Sequence, residues 1–389
     1  MTRLPFREFH ILEILHGWEG NSPLDLWLSN YFRDHKAIGS KDRAYIADTL
    51  YGLIRWLGAI DHFANEDFSW DHRLDIFLKT DFSEVYRDST LPPHIRVSFP
   101  PELFDLIAAD YGVDQALELC YASNFPAPTT IRANALKISR EALLERWQGI
   151  YDISPTPVSP IGIAFNKKIS FFSLPEFKEG LFEVQDEASQ LVANLLEAKP
   201  GDIVLDYCSG SGGKTLAFAS RLEGKGQIFL HDIRDGVLLQ ARKRLKRAGI
   251  QNAQTLPFES PKLQRLKQRC DWVFADVPCS GTGTLRRNPD LKWKFDDDTL
   301  KRLCGTQRAI FEKALSFLKW GGHIVYATCS ILKEENQQQV EHFLSTYPLE
   351  LVGEPFQSLP QQGCMDGFYA AVFRKTKDDK HFFKESGIL

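Results

Sequence analysis

The sequence predicts an α/β protein: a doubly wound sheet domain preceded by a small α/β unit and an all-helical N-terminal region. Three observations predict it. From residue 190 to 375 short apolar runs alternate with helical stretches, the pattern that builds a parallel sheet with helices on its faces. Residues 8 to about 122 carry helical periodicity with almost no strand signal. At 389 residues the chain exceeds the size at which one hydrophobic core keeps growing, so two or three domains are expected.

In the helical region, Ser40-Lys41-Asp42-Arg43 opens a helix whose apolar positions Ile46, Leu50, Leu53 and Ile54 recur at three- and four-residue spacing, with Tyr51, Arg55 and Trp56 interleaved. Such a stripe packs a helical bundle on its own core. Asn124-Phe125-Pro126-Ala127-Pro128 reads as a linker. Beyond it Thr130 to Asn134 reads as a strand, Ser139 to Trp147 as a helix and Ile161 to Phe172 as strand material. The division is 1–125 helical, 126–182 small α/β, 183–375 doubly wound and 376–389 a tail.

Net charge is −4, which excludes a generally basic nucleic-acid binder but permits a local basic face. Seven cysteines, at 120, 208, 270, 279, 304, 329 and 364, form no C-x-x-C pair and no metal-ligand spacing. An odd set of this kind suits a reducing compartment better than a disulfide framework or a zinc site, and Cys120, Cys270 and Cys304 read as buried apolar filler. Met1 to Glu8 has no apolar signal core, and no stretch approaches eighteen apolar residues. A cytoplasmic monomer without membrane association or metal is expected.

Ile203-Val204-Leu205-Asp206 opens into Cys208-Ser209-Gly210-Ser211-Gly212-Gly213-Lys214. A phosphate-binding Walker loop needs glycine where Cys208 stands, and the dinucleotide fingerprint needs a third glycine where Thr215 stands. What remains is a strand, an acidic residue, a glycine turn and a helix, followed by a strand Gln227 to Leu230 that ends in His231-Asp232. A carboxylate at that second tip can accept hydrogen bonds from ribose hydroxyls. S-adenosylmethionine fits, because it carries a ribose and no phosphate.

Two cysteines sit just past predicted strands, Cys279 in Asp276-Val277-Pro278-Cys279-Ser280-Gly281 and Cys329 in Ala327-Thr328-Cys329-Ser330. The carboxyl ends of parallel strands line the ligand crevice, so two strands ending this way deliver two thiols to one site. Beside a methyl donor, that pairing suits cytosine. C5 of cytosine is too poor a nucleophile to take a methyl group from a sulfonium directly, and thiolate addition at C6 converts the ring into an enamine whose C5 can attack. One cysteine adds, and another group assists its departure. Asp276, three residues before Cys279, can reach the N3 and amino edge of the ring, where proton sharing makes C6 more electrophilic.

These residues resemble the Sun-domain RNA cytosine-5 methyltransferases, in particular the bacterial ribosomal-RNA (RsmB-like) type. The likeness rests on Asp276 to Gly283 with Arg286-Arg287-Asn288-Pro289-Asp290 and Trp293, and on Tyr326 to Ser330 with Glu334, Glu335 and Asn336. It continues in Val184 to Ser189, Gly212 to Thr215 and Asp366-Gly367-Phe368-Tyr369. The resemblance implies a Rossmann-like methyltransferase domain, with Cys329 as the nucleophile and Cys279 as the thiol that helps release product. It also implies S-adenosylmethionine contacts from Cys208, Ser209, Gly210, Ser211, Gly212, Gly213, Lys214, Asp232 and Asp276, and a further acidic contact at Glu259, where the family usually has aspartate. Residues 39–56 resemble a NusB-like helical domain, and Arg132-Ala133-Asn134 with Leu136-Lys137 a small RRM-like domain. This sequence departs from the family's Ala-Ala-Pro-Gly-Gly-Lys loop at Ser209-Gly210-Ser211, and the extra glycine and missing proline make the loop more flexible.

The expected partner is RNA, ribosomal RNA first and transfer RNA as the nearest alternative. A non-catalytic RNA-binding assembly factor is the reading from another class. Arg242, Lys243, Arg244, Lys246 and Arg247 read as a solvated helix face. Arg286, Arg287, Lys292 and Lys294 around Trp293 are expected to meet phosphates and an unstacked base.

Overall fold

The computed structural model describes residues 5–20, 22–167 and 169–377. The expected tail therefore lies outside the described residues beyond 377. The chain divides into two units. One comprises Met1–Ala127 with Ser280–Leu300 and Pro360–Gln362, and the other Pro128–Cys279 with Lys301–Leu359 and Gly363–Leu389.

In the first unit nine helices among the described residues run from Phe6–Gly17 to Val113–Ser123. The helix Ser40–Arg55 turns its predicted stripe fully inward: Ile46, Leu50, Leu53 and Ile54 are all completely buried, packed with Ile11, Ile14, Leu15, Ala59 and Ile60. The stretch expected to be a linker begins instead inside the fold. Asn124 is buried, and its amide meets that cost by donating to the Val97 carbonyl. The segment Ser280–Leu300, which follows Cys279, belongs to this unit. Lys292 is buried there and donates to the carbonyls of Arg55 (2.7 Å) and Ser98 (2.6 Å) and to Oδ1 of Asn124 (2.8 Å). Trp293 Nε1 donates to the Ile54 carbonyl, and Arg55 to the Arg286 carbonyl. Gly58 is required at this point, since a Cβ would stand 2.9 Å from the Trp293 ring.

The second unit holds two sheets. Strands β1 (Thr129–Ala133), β2 (Ile153–Pro155), β3 (Gly162–Phe165) and β4 (Phe182–Val184) form an antiparallel sheet in the order β2-β3-β1-β4. One face packs Ile131, Ala133, Ile163, Phe165 and Phe182 against the helix Arg140–Trp147, which Ser139 caps by accepting from the Ala142 N–H. The expected strand Ile161 to Phe172 is shorter than predicted. It stops at Phe165, because Asn166 is polar and bonds back to Asp152, and Phe171 re-enters the core from a separate turn.

The larger sheet is built from β5 (Ile203–Asp206), β6 (Gln227–His231), β7 (Ala253–Leu256), β8 (Cys270–Asp276), β9 (Leu318–Thr328), β10 (Leu349–Leu351), β11 (Phe356–Ser358) and β12 (Phe368–Lys375). Its order is β10-β12-β9-β8-β5-β6-β7, with β11 paired to β12. The five strands β9-β8-β5-β6-β7 are parallel, and β12 returns antiparallel to β9. Val204, Phe274 and Val325 face one core, and Leu205, Val273 and Ile324 the other. That two-sided burial explains the near-continuous apolar runs in the sequence. Order reverses at β5, so the carboxyl ends of β5, β6, β8 and β9 border the crevice in which such sheets bind ligands.

Candidate active site

Register aligns the two cysteine-bearing tips. Asp276 pairs with Ala327 across β8 and β9, and the Val277 N–H donates to the Ala327 carbonyl, so both chains leave the sheet at one level. Cys279 and Cys329 then meet with their sulfurs 3.4 Å apart, both half-buried. Asp276, at the end of β8, accepts from Lys214 Nζ at 2.6 Å. Three of the sequence-predicted residues at the chemistry, Cys279, Cys329 and Asp276, thus come from neighbouring strand ends, with Lys214 reaching in from the helix Gly213–Phe218.

A buried polar network holds the two cysteine loops. Gln307, on the helix Asp297–Phe317, donates to the Pro278 carbonyl at 3.0 Å and to Glu335 at 2.9 Å, while Tyr326 donates to the Glu335 carbonyl. On the other loop Thr328 donates to Asn336 Oδ1 at 2.6 Å, and Asn336 Nδ2 returns to the Ser330 carbonyl. Gln307, Glu335 and Asn336 are wholly buried. Sequence reasoning missed Gln307. Its one signal is positional: it falls among Leu300, Cys304, Phe311, Ala314 and Leu315 on the inward stripe of its helix, where a polar residue needs a partner. Cys304, expected as filler, is half-buried with its sulfur 3.5 Å from the Glu334 carbonyl.

The glycine loop crosses the tip of β5. Gly210 and Gly212 adopt φ of +52° and +81°, which favours glycine, and a Cβ added at Gly210 or Gly213 would meet nothing within 4 Å. The Gly210 N–H donates to Asp232 at the tip of β6, and the Ser209 N–H to the His231 carbonyl. Burial pushes the Asp232 carboxyl up, but hydrogen bonds from Arg234 and Gly210 outweigh it and hold its pKa below the ordinary value. Asp232 is thus held as an anionic acceptor at the tip of β6, the group type a ribose hydroxyl bonds to, with Oδ1 taken by Arg234 and Oδ2 by Gly210 and Arg234 and only 5% of the residue exposed. Asp206 differs: burial raises its pKa to about 7, it accepts from Thr215 at 2.6 Å, and its Oδ1 has no partner. Glu259 lies in the turn past β7, exposed.

Other segments that carry the resemblance resolve into supports. Asp186 caps the helix Glu187–Asn194 and accepts from the Asp366 N–H, Glu187 accepts the N–H groups of Val158 and Ser159, and Gln185 donates to the Gly213 carbonyl. Both basic clusters need correction. On the helix Asp235–Ala248 only part of the row is solvated, since Arg244 and Arg247 turn inward to the buried Glu183 and Arg242 bonds Thr255. Around Trp293 three of the four expected phosphate-binding groups are taken: Lys292 and Arg286 are buried, Arg286 donates to the Gln361 carbonyl, and Lys294 pairs with Asp290. Among the described residues no helix is long and apolar enough to cross a membrane.

Comparison with known proteins gives the family. The family model for 16S rRNA methyltransferase RsmB/F matches residues 193–384, and a RsmF/B-like ferredoxin-like domain matches residues 99–171. The probable ribosomal RNA small subunit methyltransferase B of Synechocystis is 31% identical over 307 residues, covering 72% of this chain and 67% of that protein. The ribosomal RNA small subunit methyltransferase B of Vibrio cholerae is 35% identical over 291 residues, covering 72% and 66%. The chain thus spans about two thirds of the length of these relatives. The crystal structure of a methyltransferase homologue from Pyrococcus horikoshii superposes with a TM-score of 0.64 at 29% identity, covering 74% of this chain and 99% of that one. The chain belongs to the 16S rRNA methyltransferase RsmB/F family.

Proposed function

We propose that this S-adenosylmethionine-dependent methyltransferase modifies C5 of a cytosine in ribosomal RNA, with Cys329 as nucleophile and Cys279 as the thiol that assists release. The observation that carries the reading is the 3.4 Å separation of the two sulfurs beside the Lys214–Asp276 pair. Binding of RNA alone needs none of these groups. The names of the relatives, ribosomal RNA small subunit methyltransferase B, favour ribosomal over transfer RNA.

Cys208 to Lys214, Asp232 and Asp276 would hold S-adenosylmethionine, with Glu259 as the outermost contact. The bound cofactor supplies an electrophilic methyl group. Cys329 makes the acceptor: its thiolate bonds to C6 and the displaced π pair becomes available at C5. Asp276 shares a proton with the N3 and amino edge, drawing electron density from C6. Once C5 is methylated its remaining proton passes to Cys279 acting as a thiolate base, the C–H electron pair re-forms the C5–C6 double bond, and the Cys329 sulfur departs with its bonding pair. Cys279 assists that departure. The same reading takes the protein as a cytoplasmic monomer, divided into a helical domain to residue 125, a small domain to 182 and the methyltransferase domain to 375.

A denaturing gel tests the assignment. With S-adenosylmethionine and the target RNA, Cys279→Ala should attack and stall, accumulating a protein–RNA adduct, whereas Cys329→Ala and the double variant should form none. An adduct from Cys329→Ala would reverse the two roles. No adduct from any variant, together with no methyl incorporation by the native protein, would leave a non-catalytic RNA binder.

A further inference from the structure

We infer that Ser211 and Arg244 are positioning residues for the glycine loop, forming a bracket that ties it to the small sheet and sets affinity for the methyl donor; this rests on the proposed function. The loop invites such a device. Gly210, Gly212 and Gly213 surround one side chain, Ser211, and two of the glycines hold positive φ. A segment this rich in glycine loses more backbone freedom on ordering than any other composition, and a loop that is loose before binding charges that loss to ligand affinity.

Ser211 is held at both ends of its residue. Arg244 Nη1 donates to its hydroxyl at 2.6 Å and to its carbonyl at 3.1 Å. The same guanidinium is itself fixed, because Nη2 and Nε donate to Glu183 Oε2 at 3.0 and 3.3 Å. Glu183 lies on β4, is buried, and takes a second guanidinium from Arg247 on its other oxygen. A planar guanidinium can set Nε and Nη2 on one carboxylate oxygen while Nη1 reaches the hydroxyl, a rigid fork geometry that a lysine's single ammonium does not reproduce. Two residues on, just past the end of β4, the pattern repeats: Gln185 donates to the Gly213 carbonyl and accepts from Arg132 Nε at 2.7 Å. The Ser211 hydroxyl is thus one terminus of a chain of hydrogen bonds that begins in the small sheet. It also explains why the face of that sheet bearing Arg132 and Glu183 is buried instead of open.

The role separates from mere folding by what it changes. Ser211→Ala removes only the hydroxyl contact, so it should weaken S-adenosylmethionine and S-adenosylhomocysteine alike by about ten- to 150-fold, the loss expected of one charge-assisted hydrogen bond. KM for S-adenosylmethionine should rise by the same factor, with kcat and KM for RNA unchanged, because the contact is equal in ground and transition states. Ser211→Thr should restore binding. Arg244→Lys should lose a similar factor, and Ser211→Ala with Arg244→Lys should cost no more than the larger single loss, since both cut one link. Calorimetry on the full chain reads each outcome. Native binding with an unchanged Ser211→Ala affinity, or fully additive losses, overturns the bracket alone. Failure of the native protein to bind S-adenosylmethionine overturns both the bracket and the proposed function.

Discussion

Lys214 donates to Asp276 across 2.6 Å, joining the helix behind the glycine loop to the end of β8. The ammonium is nearly buried, with its side chain 10% exposed, whereas the Asp276 side chain keeps 29%. The carboxylate therefore has one oxygen committed to Lys214 and an open side on which to meet a base.

Asp276→Asn keeps an acceptor for Lys214 and removes the proton-sharing group. Methyl transfer should fall by about 10²- to 10⁴-fold, the range for loss of one positioned acid or base. Single-turnover assays with labelled S-adenosylmethionine measure this directly. A rate within a few-fold of the native value would remove Asp276 from the proton chemistry.

Asp206 gives a pH dependence. In the folded protein burial raises its pKa to about 7, against an ordinary value of 3.8. Between those values the folded state holds a proton that the unfolded chain releases, so this group's contribution to stability falls as pH rises through the interval. Asp206→Asn keeps the acceptor for Thr215 and abolishes the titration. Its stability relative to the native protein should improve from pH 5 to pH 8 by on the order of 2–4 kcal/mol, read from urea unfolding at both values. A constant difference would show that Asp206 does not hold the proton.

Lys292 concerns the helical unit. Burial pushes its amine well down from the ordinary lysine value, while three oxygens accept from it. Lys292→Met leaves those oxygens without that donor and should destabilise by about 2–5 kcal/mol. Trp293→Phe removes a single donor to Ile54 and should cost about 1–2 kcal/mol. Hydrogen exchange over residues 280–300 should rise in both variants. Unaltered protection would mean that the segment is held by other contacts.

Much of the site was legible because its information is local. Strands β8 and β9 announce themselves as apolar runs, and the residues that follow each run carry the thiols. The stripe Ile46, Leu50, Leu53, Ile54 was legible for the same reason, since helical spacing reports burial. Lys292 and Trp293 were misread because their partners are remote, 168 to 239 residues away, and nothing in a run of basic residues reveals that its ammonium will meet carbonyls instead of phosphates. Arg244 and Arg247 failed likewise: their charges suggested solvent, while the carboxylate that draws them inward sits on β4. Gln307 was hidden inside an apolar stripe. Glu259 follows a proline on an exposed turn, where neither spacing nor packing fixes its direction.

The lysine cradle also has a consequence in time. Asn124 precedes Lys292 by 168 residues, so at a synthesis rate of about 5–20 residues per second the nascent helical unit waits roughly 8–34 s for the ammonium its oxygens receive. All of β1 to β8 is made in that interval. The helical unit, made ahead of both sheets, is therefore sealed only after most of them, and its closing contacts are non-local in the sense that slows folding. A chain cut short before residue 280 keeps every N-terminal helix yet lacks the segment that seals them.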